Sequence, residues 1–300
     1  VLGGVLRSIG FLCWIVFPNF WGYLAGFILW GFMIACSSGA TSAFLRSELE
    51  SRSNADSFTK YYGLTAAGLS TGALLGYLLA SILTVENSTA LLYLSLASSL
   101  ASSLAMLFTN ESPYKRQNSY AKTLLSGFKE FKTSIKLKMI GFVLFSTFMI
   151  YGVLEEFVPR LYSEFGLSDT EIALVVAVTY VFSITLLLRL ERYVKFSLSK
   201  QMIGIVVGVS LFIVGLSISG IIAVLLILSF SLILELARSS FLHHIQSEIK
   251  GDEKATVASI PGLAGGLLGA FAYILIGFLQ RDFFIALEYS YLLYSDIDFV

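Results

Sequence analysis

Residues 201–234 read QMIGIVVGVSLFIVGLSISGIIAVLLILSFSLIL, a run of 34 residues without a charged side chain. A helix needs about 20 residues to cross the hydrocarbon core of a bilayer, so this run is nearly twice as long as one crossing requires. Its middle, residues 217–220, reads SISG, and small residues with glycine favour a turn. The run therefore predicts two membrane-spanning helices joined by a tight turn.

The composition of the whole chain agrees with this interpretation. Hydrophobic residues make up 56% of its 300 residues and charged residues only 13%, against about 25% charged in an ordinary globular domain. So few charges could not cover the surface of a soluble protein of this size. The composition excludes a soluble globular protein and predicts a polytopic membrane protein.

The remaining charge-free windows extend the pattern along the chain. They are continuous rather than alternating, which predicts helices and not the strands of a barrel. We expect an all-α protein with about ten transmembrane helices, at residues 2–17, 21–45, 60–84, 89–109, 139–161, 171–189, 200–217, 221–243, 255–279 and a short 283–294.

Basic residues are concentrated in alternate loops of this arrangement. Seventeen of the 20 lie in segments 46–60, 110–138, 189–200 and 238–254. Positive residues mark the cytoplasmic side of a membrane protein, so the central loop, 110–138, is predicted to be cytoplasmic, with the cell (inner) membrane as the location. Within this loop apolar residues recur at helical spacing among lysines, which predicts a basic amphipathic helix at the membrane surface; they are Tyr120, Leu124, Phe128, Phe131 and Ile135.

The two sides of the central loop resemble each other. The sequence SAFL at 42–45 precedes a helix that carries GLSTGALLG at 68–76, and SSFL at 239–242 precedes one that carries GLAGGLLG at 262–269. Parallel repeats of helix bundles are typical of transporters. The predicted domains are an N-terminal bundle, 1–109, a cytoplasmic linker, 110–138, and a C-terminal bundle, 139–300.

Several short motifs resemble those of the major facilitator superfamily, in particular its drug- and sugar-exporter-like members. LWG at 29–31 with SGA at 38–40 is similar to the fourth helix of that family, and TNESP at 109–113 to the end of the sixth. Glu156, Pro159 and FGLS at 165–168 resemble the seventh helix and its outer loop, and KATVAS at 254–259 resembles the entry to the eleventh. The resemblance implies a fold of two helical bundles and a transport function.

On this resemblance the ten spans correspond to family helices three to twelve. The first two helices and the loop motif G-x-x-x-D-R-x-G-R-R that follows them have no counterpart, so the chain is interpreted as a fragment. Two positions depart from the exporter pattern: Ile28 stands where an arginine is common, and Tyr77 replaces a proline. Both departures weaken the expectation of proton antiport.

Charged residues inside the predicted spans are the first candidates for a transport site, because each is costly in the bilayer unless it faces water or a partner. Glu235 and Arg238 lie one helical turn apart on the same face and are within pairing reach. Glu155 and Glu156 are adjacent, so we expect one of them to face a central cavity and to carry protons. The alternatives are a purely structural Glu235–Arg238 ion pair, and contact of Glu155 and Glu156 with water at the headgroups.

Small residues form a second set of candidates, since they let membrane helices approach closely. The predicted helix-packing glycines are Gly68, Gly72, Gly76, Gly262, Gly266 and Gly269. They serve either static packing or a moving contact between the two bundles. His243 and His244 are expected at a helix end, where a contact with the helix dipole accounts for them.

We therefore expect a secondary active transporter that moves a small molecule by alternating access, coupled to an ion, with the proton and efflux favoured. Its partners would be the substrate, the coupling ion and the lipid bilayer, with no nucleic acid, cofactor or metal. Two other classes stay open: a truncated, non-transporting membrane protein (a receptor or a degraded gene product) and a membrane-embedded enzyme. The sequence shows no catalytic constellation that favours the enzyme.

Overall fold

The computed structural model describes residues 2–37, 40–83, 88–108, 120–249, 256–269, 271–272 and 275. Over these ranges the chain is almost entirely helical and contains no strand, which confirms the all-α prediction. The described helices are α1 Leu2–Val16, α2 Phe20–Ser37, α3 Ala40–Ser51, α4 Phe58–Ile82, α5 Ser88–Leu107, α6 Tyr120–Thr133, α7 Ile135–Glu164, α8 Asp169–Leu187, α9 Leu190–Val194, α10 Leu198–Leu216, α11 Ile221–Glu248 and α12 Thr256–Gly269.

Six of these helices are long and apolar enough to cross a membrane: α4, α5, α7, α8, α10 and α11. Shorter apolar helices are found at Leu2–Val16, Phe20–Ile34 and Thr256–Gly269. Many large apolar side chains on these helices are exposed, as in Leu69, Ile82 and Leu107, which fits helices whose outer faces meet lipid rather than water. The predicted span 283–294 and most of the last part of 255–279 lie outside the described residues.

The turn predicted at 217–220 is confirmed. Helix α10 ends at Leu216 and α11 begins at Ile221. Gly220, immediately before α11, has φ +79°, a left-handed conformation that costs a residue with a Cβ atom more than it costs glycine. The long charge-free run therefore folds back on itself as two antiparallel helices.

Two predicted spans were too short. Helix α7 begins at Ile135 rather than 139, and α11 continues to Glu248 rather than 243. The predicted bounds follow the apolar stretch that crosses the bilayer, but a helix does not have to end where the hydrocarbon ends. At the start of α7 the side chain of Ser134 accepts a hydrogen bond from the backbone N–H of Leu137, which caps the helix.

The amphipathic helix predicted in the central loop is confirmed as α6, Tyr120–Thr133. Ile135, however, belongs to α7, because the Ser134 cap separates the two helices. Phe131 of α6 packs against the buried core that α7, α11 and α12 share. Its ring lies so close to Gly141 that a Cβ atom there would be 2.5 Å from it, so the end of α6 is fixed to α7.

Helix α11 is the central element of the C-terminal half. It contacts α7, α8, α9 and α10, and it also reaches α4. We call its two ends the Gly220 end and the His243 end. One core cluster, centred on Leu144, Ala237 and Ile245, fills the His243 end, and a second, with Tyr162 and Ile227, fills the Gly220 end.

Helix α4 belongs by sequence to the N-terminal bundle, but its most extensive packing is against α8 of the C-terminal half. The two helices run antiparallel, with Gly63 beside the carbonyl oxygen of Leu187 and Tyr77 stacked on Tyr180 at a ring distance of 5.7 Å. In the N-terminal half α1 packs against both α2 and α5. The α4–α8 contact is the main connection between the halves in the described part of the chain.

Candidate functional site

A buried carboxylate lies where the two halves meet. Glu235, near the midpoint of α11, is only 9% exposed. Its Oε2 accepts a hydrogen bond from Ser183 Oγ of α8 at 2.5 Å, and its Oε1 accepts one from Ser70 Oγ of α4 at 3.4 Å. The two serine oxygens are 3.3 Å apart. Glu235 thus joins a helix from each half, and the two hydroxyls offset part of the cost of burying its charge.

The guanidinium of Arg238 lies one turn along α11, in the direction of the His243 end. Its Cζ is 4.4 Å from the centre of the Tyr151 ring and 5.8 Å from that of Phe148, both on α7. Such contacts between a cation and a ring are attractive, the more so out of water. Tyr62 of α4 is within electrostatic reach of both Arg238 and Glu235. The structure therefore places Glu235 and Arg238 in one cluster, in which serine hydroxyls donate to the carboxylate and aromatic rings contact the guanidinium.

Glu155 and Glu156 lie within α7, but the positions of their side chains fall outside the described part of the structure. Which of the two faces the cavity stays a prediction. The next turn of α7 contains Pro159.

A cavity of about 70 Å³ adjoins Glu235 on its Gly220 side. Helices α4, α7, α8 and α11 surround it, so both halves of the chain contribute to its wall. Among the described lining residues, the aromatic ones are four tyrosines and the charged one is Glu235. The lining consists of Tyr77, Tyr151, Leu154, Val158, Pro159, Tyr162, Val176, Thr179, Tyr180, Ser231 and Glu235.

Polar contacts also join the halves at the His243 end. Thr59 Oγ1 of α4 is 2.8 Å from Nδ1 of His243, and the Phe58 ring stacks on the same imidazole at 6.0 Å. Gln246 Nε2 donates to Ser42 Oγ of α3 at 3.0 Å. These three contacts, which we call the His243 latch, all connect α11 with the N-terminal half. They close this end of the interface, while the cavity lies on the opposite side of Glu235.

The interpretation of the histidines as helix-end residues was wrong. Helix α11 continues to Glu248, so neither ring lies at its last carbonyl groups. His243 contacts α4, as described above, and His244 Nε2 lies 3.2 Å from Gln201 Nε2 of α10. Both rings bind neighbouring helices, a role that the sequence alone did not indicate.

The packing role predicted for the glycines stays a prediction, since most of these positions have no close neighbour among the described residues. A Cβ atom added at Gly68, Gly72, Gly76, Gly266 or Gly269 would meet no described atom within 4 Å, and one at Gly262 would make only an ordinary contact with Phe148, at 3.8 Å. Close approach is found instead at Gly63, where an added Cβ atom would lie 2.6 Å from the Leu187 carbonyl oxygen, and at Gly265, where it would lie 2.9 Å from the Phe145 carbonyl oxygen. Among the described residues, the closest neighbours on α4 and α12 are therefore found at glycines other than the six predicted ones.

Sequence reasoning also missed Ser70 and Ser183, the two residues that bind Glu235. Each is a hydroxyl in an otherwise apolar span, and both are buried. Many other serines in these spans donate to their own helix backbone, as Ser210 and Ser229 do. Because the sequence does not distinguish the two uses, only the packing of α4 against α8 and α11 identifies this pair.

Comparison with protein families matches residues 1–273 of the 300 to the Major Facilitator Superfamily. No curated protein matches the chain. The match covers nine-tenths of the chain, from α1 through α12, and agrees with the several apolar helices that make it an integral, multi-pass membrane protein. The chain belongs to the Major Facilitator Superfamily, a family of membrane transporters.

Proposed function

We propose that this protein moves a small molecule across the cell membrane by alternating access, with a proton as the coupling ion and export as the favoured direction. In such carriers one helical bundle rocks against the other around a site near the midplane of the bilayer. The observation that carries the proposal is the position of Glu235. It lies at the midpoint of a spanning helix, beside a cavity, and binds one serine from each half.

The proton would act through the number of hydrogen bonds that Glu235 can accept. An ionised carboxylate is an acceptor only, and here it accepts from Ser70 and Ser183 at once. A protonated carboxyl has one O–H donor and less acceptor capacity, so it holds the two serines less strongly. Protonation would therefore loosen the contact between α4 and α8, which is the contact that rocking must change.

Each other candidate has a role in this scheme. Arg238 stays charged throughout, and its contact with Tyr151 keeps α11 against α7. Glu155 or Glu156 would carry protons between the cavity and the surface. The basic residues of segment 110–138 support a cytoplasmic position for that segment, and therefore for the His243 end of the bundle.

Distances between spin labels test this proposal without knowledge of the substrate. Ser47 of α3 and Ser247 of α11 are exposed near the His243 latch, so both are replaced by cysteine and labelled in a background where Cys13 and Cys36 are serine. The protein is expressed from its complete gene and placed in liposomes. We expect a second, longer distance to appear as the pH is lowered, because protonation of Glu235 loosens the interface.

The variant Glu235→Gln mimics the protonated carboxyl, and it should show the longer distance at every pH. Glu164→Gln is the matched control, since Glu164 is an exposed carboxylate at the far end of α7; it should behave as the unsubstituted protein. A single distance that changes neither with pH nor in Glu235→Gln would refute coupling through this residue. Flux driven by a proton gradient, measured on the same liposomes, separates a carrier from a non-transporting relative.

A further inference from the structure

The cavity beside Glu235 differs from an ordinary apolar gap in the kind of polar atoms that line it. Among the described lining residues there is no lysine, arginine, histidine, asparagine, glutamine or tryptophan, and so no group that can only donate hydrogen bonds. Pro159, in the same wall, has no N–H to offer. A ligand that needs donors from the protein, such as a carboxylate or a phosphate, would find only hydroxyl groups among the described lining residues, and no cationic donor.

The hydroxyls of Thr179 and Ser231, in the wall of the cavity, already donate hydrogen bonds to the backbone. Thr179 Oγ1 donates to the Val175 carbonyl oxygen at 3.0 Å, and Ser231 Oγ donates to that of Ile227 at 3.2 Å. A hydroxyl has one hydrogen and two lone pairs, so what remains on each oxygen is acceptor capacity. Both oxygens therefore add to the hydrogen-bond acceptors that the carboxylate already provides in the cavity.

The Glu235 carboxylate can also accept further hydrogen bonds. Its two oxygens offer about four lone-pair positions, and the serine contacts use one on each oxygen. Arg238, one turn along α11, lies over Tyr151 and Phe148 and is not among the described residues that line the cavity. The negative charge of Glu235 is therefore presented to the cavity with no described positive charge in its wall.

The tyrosine rings add a second form of attraction for a cation. Tyr77 and Tyr180 stack on each other, and Tyr151 and Tyr162 complete the aromatic wall. Ring faces attract ammonium and guanidinium groups, most strongly when water is excluded. Tyr151 already binds one cation in this way, because the Arg238 guanidinium lies 4.4 Å from its ring centre.

We infer that this cavity binds the ammonium group of an organic amine, with the Glu235 carboxylate as counter-ion and the tyrosine rings as walls. The inference rests on the proposed function, since it assigns the substrate class of the same site. A volume of about 70 Å³ exceeds the roughly 10–15 Å³ that a single water molecule needs on this measure, so the cavity has room for an ammonium head group. Leu154, Val158 and Val176 border the head group and would contact its alkyl chain.

Equilibrium binding tests the inference separately from transport. The purified full-length protein is heated in detergent with increasing butylammonium chloride, and its melting temperature is recorded. A ligand that binds only the folded state raises the melting temperature in proportion to the logarithm of its concentration once the site is filled. Sodium butyrate and sodium chloride, at matched ionic strength, are the comparison salts. We expect stabilisation by butylammonium alone.

Variants assign the effect to the cavity. Glu235→Gln should weaken butylammonium binding at least tenfold, and Tyr180→Leu should weaken it several-fold, whereas Tyr180→Phe keeps the ring face and should stay within about twofold. The exposed Glu164→Gln is the control and should bind as the unsubstituted protein does. If Glu235→Gln fails to fold, the Phe and Leu replacements at 180 decide the question, since both preserve the charge.

Three results would overturn the inference. The first is that sodium butyrate stabilises the protein as much as butylammonium chloride does, and the second is that sodium chloride does so. The third is that the Phe and Leu variants of Tyr180 bind butylammonium equally well. None of these results affects the proposed transport, because the measurement is made without a membrane or a gradient. Conversely, butylammonium binding by a protein whose spin-label distances never change would support the site and refute the carrier.

Discussion

Adding one methyl group to α4 should have opposite consequences at two glycines of the same helix. At Gly63 a Cβ atom would lie 2.6 Å from the carbonyl oxygen of Leu187, whereas at Gly68 it would meet no described atom within 4 Å. Ordinary contacts begin near 3.4 Å, so Gly63→Ala requires a separation of about 0.8 Å. The obstructing atom is backbone and cannot rotate away, so α4 itself must move from α8.

The size of the effect follows from this geometry. Overpacking of a well-packed contact costs about 1–3 kcal/mol, and the displacement also lengthens the hydrogen bond from Ser70 to Glu235. Gly68→Ala creates no such conflict and should gain about 0.5–1 kcal/mol from reduced backbone freedom in the unfolded chain. The same gain applies to Gly63→Ala, so the two variants should differ by the overpacking cost alone, about 1–3 kcal/mol, with Gly63→Ala the less stable.

Thermal unfolding of the two purified variants in one detergent measures the difference. We expect Gly63→Ala to melt several degrees below the unsubstituted protein, and Gly68→Ala to melt at or above it. Gly72→Ala, another position where a Cβ atom meets nothing described, serves as a repeat of the control. If Gly63→Ala melts no lower than Gly68→Ala, the close contact between α4 and α8 is refuted.

Three further predictions concern coupling, topology and the latch. Glu235→Gln should abolish flux driven by a proton gradient in liposomes, because the side chain can no longer bind and release a proton; normal gradient-driven flux would show that the carboxylate is only structural. Single cysteines at Glu86, which lies outside the described residues, and at Ser126 should label differently with an impermeant maleimide, the first in intact cells and the second only after permeabilisation; the reverse pattern contradicts a cytoplasmic central loop. Thr59→Val removes the hydrogen bond to His243 and should increase the fraction of molecules that show the longer spin-label distance at the His243 end, whereas Thr59→Ser should not. The same fraction in both variants would show that this bond does not hold the halves together.

The helices themselves could be predicted from the sequence because the bilayer imposes a length and excludes charge. The turn at Gly220 and the amphipathic helix α6 follow from composition and spacing alone. Helix ends were less predictable, since α7 and α11 continue past the apolar stretch. The Ser134 cap that begins α7 is a local hydrogen bond, and hydropathy carries no information about it.

The candidate site was only partly predictable, for a reason that differs from residue to residue. Glu235 is conspicuous because a carboxylate in an apolar run is rare and costly. Its partners, Ser70 and Ser183, come from positions 165 and 52 residues away in the chain, and serines are frequent in these spans. The close contact of Gly63 with Leu187 depends on the rotation of two helices about their axes, which periodicity of glycines does not determine.

Helix α11 carries in succession a cavity residue, Ser231, the carboxylate of Glu235, the guanidinium of Arg238 and the latch residues His243 and Gln246. At 1.5 Å per residue these positions span about 22 Å. One substitution that rotates this helix would therefore disturb recognition, proton binding and closure together. Selection for altered substrates should consequently avoid α11 and accumulate changes in the facing tyrosines of α4, α7 and α8. Second-site suppressors of an α11 defect should in turn appear on α3 and α4, the helices of the other half that contact it in the described part of the chain.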